Sequence, residues 1–153
     1  MPKSPTAPRV SAPDLPPALE PRVAARRADL LAAALELTGT VDLSYATLEQ
    51  CAVQADADSI DLTGATLLDV DLPDPRIASL RMRNASIRRL RITGGRIGTL
   101  DLSDARVAEL ELRDVRIDYL NLGAARAEDV DVVGCAVRTI DIPQSELTRV
   151  RFQ

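Results

Sequence analysis

The chain has 153 residues, a formal net charge of −4, and aromatics at only 2% of positions: Tyr45, Tyr119 and Phe152, with no tryptophan and no histidine. The lack of histidine removes the usual general base near neutral pH and the commonest metal ligand. A core nearly free of aromatics must be built from Leu, Ile, Val and Ala, which suits a narrow, uniform interior better than a broad one.

Met1 to Pro21 hold seven of the ten prolines. Proline fixes φ and removes a donor, so residues 1–21 are expected to form an extended, disordered tail. Its start, Met1-Pro2-Lys3-Ser4-Pro5, has no apolar stretch behind it, so no secretory signal is read. No apolar run approaches the ~20 residues that span a bilayer. The expectation is a cytoplasmic protein with no membrane partner.

Pro21 suits the first position of a helix and Gly39 its end. Ala24, Ala25, Ala28, Ala32, Ala33 and Ala34 favour helix between them, while Val23, Leu30, Leu31 and Ala34 fall on one face. A short capping helix over 22–39 is therefore expected. Its end is not sharply marked, because Leu35-Glu36-Leu37 already resembles the pattern that follows.

From Val41 apolar residues recur with a period of five: Val41/Leu43, Ala46/Leu48, Cys51/Val53. The register slips by one near Gln54, where a corner or bulge is expected. From Ile60-Asp61-Leu62 onward, about nineteen units follow in unbroken phase. A helix wants a period of 3.6 and a strand a period of 2. Inward pairs two apart, then a gap of three, make very short strands joined by corners, and the backbone winds into a coil. The backbone hydrogen bonds must then run between successive coils. Cys51 and Cys135 fall at inward positions and lack the spacing of a zinc site, so both are read as small core residues.

Val41-Asp42-Leu43-Ser44, Leu100-Asp101-Leu102-Ser103-Asp104, Leu120-Asn121-Leu122-Gly123-Ala124 and Val130-Asp131-Val132 resemble the repeat of the pentapeptide-repeat proteins. The resemblance covers residues 41–153. It implies an all-β fold, a right-handed parallel β-helix of four faces with twenty residues per coil, here five to six coils. The chain departs from that repeat at the first inward position, which alternates large and small (Leu80/Ala85, Leu90/Gly95, Leu100/Ala105). A leucine-rich repeat is the alternative, since Ile97-x-x-Leu100-x-Leu102-x-x-Ala105-x-Val107 mimics its strand, but that repeat needs 20 to 29 residues, whereas this pattern closes in ten. The bare solenoid end at Gln153 would be an unpaired edge, so either the chain has been cut short or self-association, or another partner, covers that end.

Stacked by twenties, outward side chains form columns. Seven arginines and no acid lie between Pro75 and Leu100. Arg81, Arg89 and Arg91 fall between acids one coil away (Asp61/Asp101, Asp69/Glu109, Asp71/Glu111) and are read as ion-paired. Arg76, Arg96 and Arg116 form a like-charge ladder without such partners, beside small residues (Ala78, Ser79, Gly98, Thr99). With Arg83, Arg88 and the aromatic Tyr119, they are the candidate partner-binding residues.

No nucleophile–base pair, metal cluster or phosphate-cradling loop is visible, Gly94-Gly95 alone being too weak, so no enzyme activity and no cofactor are expected. The first function reading is a non-catalytic scaffold presenting solenoid faces to a protein partner. The second is a mimic of duplex DNA acting on bacterial type II topoisomerase (gyrase), as the resemblance implies. Residues 60–153 carry 15 acids and 14 arginines, which is too even a balance for a strong mimic. Direct nucleic-acid binding is not expected.

Overall fold

Short strands with inward pairs can satisfy their backbone groups only by pairing one coil later, and the structure is built on that rule. A computed structural model describes residues 7–153. These form a β-solenoid of about six turns, with about twenty residues per turn and no helix. Thirteen strands belong to one sheet: β1 (Glu20–Pro21), β2 (Asp29–Leu31), β3 (Ala33–Asp42), β4 (Thr47–Asp61), β5 (Thr66–Pro73), β6 (Arg76–Arg81), β7 (Ser86–Thr93), β8 (Arg96–Asp101), β9 (Arg106–Arg113), β10 (Arg116–Asn121), β11 (Arg126–Val133), β12 (Ala136–Asp141) and β13 (Glu146–Phe152).

All these strand pairs are parallel. The long strand β4 feeds two stacks, one running β6-β8-β10-β12 and the other β5-β7-β9-β11-β13. In both, the register from β6 on is twenty residues, as in Leu80↔Leu100 and Leu90↔Leu110. The connecting corners follow a similar rule; Met82, for example, donates its N–H to Asp101 O at 2.7 Å.

One coil buries Ile77, Leu80, Met82, Ala85, Ile87, Leu90 and Ile92. The spacing alternates three and two, as the five-residue pattern demands. The four corners of a coil are not equivalent. Asn84, Arg89 and Gly94 have positive φ, and so do their counterparts in neighbouring coils, whereas Ser79 does not. Each αL corner turns the chain at one residue, which explains why Asp, Asn and Gly recur there.

The carboxylates and amides at the rung centres serve the turns. Asp42, Asp61, Asp101 and Asn121 accept the N–H two residues on, from Ser44, Thr63, Ser103 and Gly123, at 2.9–3.0 Å. These Asx-type bonds pin the corner after each such rung.

Two expectations need correction. The helix over 22–39 does not form. Arg27 and Ala32 have φ near +60 and +53, and burial over Leu30, Ala33, Leu35 and Leu37 follows strand alternation. Alanine's helix preference is worth only tenths of a kcal/mol per residue over most alternatives. It loses here to pairing, since Ala34–Asp42 lie in register on Ala52–Asp61 and cover the first edge of the solenoid.

The slip near Gln54 is real, but the chain neither turns nor bulges at that residue. β4 runs straight through it with Cys51, Val53, Ala55 and Ala57 all buried. The register to the next coil is nineteen residues at Ala52↔Asp71 and twenty at Asp56↔Arg76. One corner residue is missing, and the strand continues where other coils turn. Against the preceding coil the register shifts later, between Gly39 and Thr40, which pair with Ala57 and Ser59.

The proline-rich residues 1–21 are read from sequence as an extended, disordered tail. Met1–Thr6 lie outside the described residues. From Ala7 on the chain forms neither helix nor strand until β1 at Glu20, and it meets the solenoid through the Arg9, Ser11 and Asp14 N–H groups.

Candidate functional site

A solenoid offers function only on its outward columns, so each candidate side chain is set by its place in the twenty-residue register. Arg76, Arg96 and Arg116 open β6, β8 and β10 and stand directly over one another. All three are exposed. Asp56 lies in register below Arg76, and Ala136 above Arg116. The floor beside the ladder is low because Ala78 and Gly98 occupy the next outward column. A Cβ at Gly98 would sit 2.4 Å from the Ala78 carbonyl oxygen, so only glycine fits there.

The ladder is not free of carboxylates. Arg96 Nη2 donates to Asp118 Oδ2 at 3.1 Å, and both side chains are well exposed. Asp74 also borders the same groove. The repulsion expected at Arg96 is relieved from a neighbouring column rather than from its own. Sequence stacking missed this because it compared residues only within one column.

Arg83 lies around the corner following β6, with Nε 4.0 Å from Asp101 Oδ2. Tyr119, on β10, is half-buried and its hydroxyl donates to the Asp141 carboxylate, which raises its pKa. Tyr45 is 50% exposed and carries the Arg27 guanidinium over its ring at 5.2 Å, and Phe152 is equally exposed.

Arg88 sits on the other stack, in a shallow groove it shares with Arg106 and Arg126. Arg106 and Arg126 are in register on β9 and β11, forming a second like-charge ladder. Sequence reasoning missed it, although the same arithmetic of twenty contains it. Ser86 and Ala108 beside it are small, and Arg126 approaches Glu146 at 3.6 Å with both side chains exposed.

The predicted ion-pair columns hold in part. Arg89 clamps Asp69 with Nε–Oδ1 at 2.6 Å and Nη2–Oδ2 at 3.0 Å, and reaches Glu109 at 3.9 Å. Arg91 meets Asp71 at 3.4 Å, but Glu111 accepts from Arg113 at 2.9 Å instead. Arg81 stands in register between Asp61 and Asp101, yet those carboxylates turn to Thr63 and Ser103. The pattern recurs unforeseen at the C-terminal coils, where Arg149 clamps Asp129 and Arg151 clamps Asp131, both bidentate.

The Arg89 guanidinium holds the Asp69 carboxyl below its ordinary range, aided by the Asp14 backbone N–H. Arg149 and then the Arg9 N–H do the same for Asp129. Cys51 is fully buried and Cys135 partly so; both are free thiols, and burial raises the pKa of each.

Among the described residues, no three His, Cys, Asp or Glu side chains converge as metal ligands, and no helix is long and apolar enough to cross a membrane. No protein-family model and no curated protein matches the chain.

Proposed function

We propose that this chain is a non-catalytic binding module of the pentapeptide-repeat kind, working in the cytoplasm, which presents a solenoid face to an acidic surface of a protein partner. The observation that carries this reading is the exposed ladder Arg76–Arg96–Arg116. Its steps are one coil apart, about 4.8 Å by the usual strand spacing, over a floor lowered by Ala78 and Gly98. Guanidinium groups at fixed intervals on a rigid sheet can be met by carboxylates without reordering the solenoid, which lowers the entropic cost of binding. Arg83 and Tyr119 extend the same surface, and Arg88 belongs to the second arginine groove.

The DNA-mimic reading draws less support. Such a mimic needs accessible carboxylates in columns, and Asp69, Asp129 and Asp131 are each clamped by an arginine. A supercoiling assay with gyrase at rising protein concentration tests it, with inhibition or protection at micromolar levels counting in its favour.

The ladder is tested by changing Arg76, Arg96 and Arg116 together to Ser. Binding to an acidic polyanion, or to a partner purified by affinity on the intact protein, is then compared over a salt series. The expected result is weaker binding and a shallower dependence on salt. Unchanged affinity and slope would remove the ladder from the interface.

A further inference from the structure

The corner column Asp69–Arg89–Glu109–Asp129–Arg149 differs from the other columns in what lies on it. Asp14 N–H donates to Asp69 Oδ1 at 3.0 Å, Ser11 N–H to Glu109 Oε1 at 3.1 Å, and Arg9 N–H to Asp129 Oδ1 at 3.0 Å. The N-terminal segment thus runs along the column against the direction in which the coils accumulate.

The spacing of these contacts follows from the two geometries. Three residues of polyproline-type chain rise about 9.3 Å, and two coils rise about 9.6 Å. Asp14 and Ser11 are three residues apart, and Asp69 and Glu109 are two coils apart. The skipped coil carries Arg89, which offers no acceptor, and the chain passes it with Ala12 and Pro13. The last step, two residues against one coil, is about 6.2 Å against about 4.8 Å. The extra methylene of Glu109 gives the slack.

Proline placement agrees with this reading. All three donors are non-proline residues, while Pro8, Pro13 and Pro16 lie between or beside them, where no N–H is required. Proline-rich composition keeps the segment extended with little entropy to lose. The hold is thin, since Arg9, Ser11, Ala12 and Asp14 all remain exposed. A segment held by few buried contacts opens easily.

We propose that this corner column is a binding site for an extended, proline-rich segment of a partner protein, and that the chain's own residues 9–14 occupy it in cis. The partner segment would place free N–H groups three residues apart over Asp69 and Glu109, with a basic residue near Asp129. The chain's own tail then acts as a tethered competitor, whose effective concentration is on the order of millimolar. This site is separate from the arginine ladder and stands whether or not the ladder binds anything.

The test uses the full-length chain and a full-length variant with Arg9→Pro, Ser11→Pro and Asp14→Pro, which removes the three donors and keeps the segment extended. The probe is a fluorescent synthetic peptide of residues 7–19, followed by anisotropy. The expected result is binding to the variant at least tenfold tighter than to the unaltered chain, with no competition from an unlabelled peptide carrying the same three prolines. Equal binding to both proteins, binding to neither, or full competition by the proline-substituted peptide would overturn the proposal. Amide hydrogen exchange on the unaltered chain gives a check that does not depend on the variant. The Arg9, Ser11 and Asp14 amides should exchange at least tenfold more slowly than that of Ala12, and equal rates would also overturn the proposal.

Discussion

Gly95→Ala separates backbone overlap from backbone conformation. Gly95 has φ +75, and a Cβ there would lie 2.1 Å from the carbonyl oxygen and 2.6 Å from the nitrogen of Pro75, one coil below. That carbonyl also accepts the Arg96 N–H at 2.8 Å, so moving it loosens the coil contact at the base of the arginine ladder. Gly39 provides the control, with φ +70 and nothing within 4 Å of its would-be Cβ. Placing an L-residue in the left-handed region costs roughly 1–2 kcal/mol, and this is all that Gly39→Ala should show. Ala124 already sits at φ +55, so alanine is tolerated at such corners where there is room. Gly95→Ala adds an overlap with backbone that cannot rotate away, worth about 1–3 kcal/mol more. Urea titrations followed by far-UV circular dichroism, approached from both folded and unfolded protein, would measure the difference. Because solenoid coils depend mainly on their neighbours, the Gly95 variant should also show a broader transition as the coils on either side separate. Equal stability of the two variants, within about 0.5 kcal/mol, the margin to which ΔΔG values of independent sites add, would refute the overlap argument.

Leu100→Ala should cost about 2–5 kcal/mol, since Leu100 is fully buried, whereas Ile140→Ala, at 37% exposure in the last coil described, should cost well under half as much; urea midpoints decide it. Asp69 and Asp129 have lowered pKa values in the folded chain, from Arg89 and Arg149 first. Their contribution is therefore present above the ordinary carboxylate value near 3.8 and is lost as pH falls through the lowered folded value. Stability measured from about pH 5 to about pH 2 should decline in that window, and Asp69→Asn should flatten the decline; an unchanged slope would count against the clamp. Iodoacetamide labelling followed by mass spectrometry should modify Cys135 before Cys51 in the folded protein, because Cys135 is only partly buried. The reverse order would mean that the core at Cys51 opens first.

The arginine columns show how far stacking by twenties could reach. Arg89 between Asp69 and Glu109 was legible because both partners share one column. The Arg96–Asp118 pair was not, since it crosses between columns and depends on the lean of two side chains. Arg81 was misread for a different reason. Its neighbours Asp61 and Asp101 are short and lie within reach of the N–H two residues on, and that local bond beats a screened partner on the next coil.

The five-residue period by itself determined a coil of short strands with an aliphatic core, from Val41 to the end of the chain. Neither a regular helix nor a single long strand keeps residues spaced alternately two and three apart on one side. The period did not reach residues 20–40, where local preference and tertiary pairing disagree. Alanine-rich sequence favours a helix, but the first coil leaves a row of open N–H and C=O groups, and only a strand such as Ala33–Asp42 can pair with them. The tail was beyond local reading for the same kind of reason. Its prolines set an extended shape, but where it lies depends on carboxylates at Asp69, Glu109 and Asp129. These are brought into one line only when the chain has wound through its successive coils.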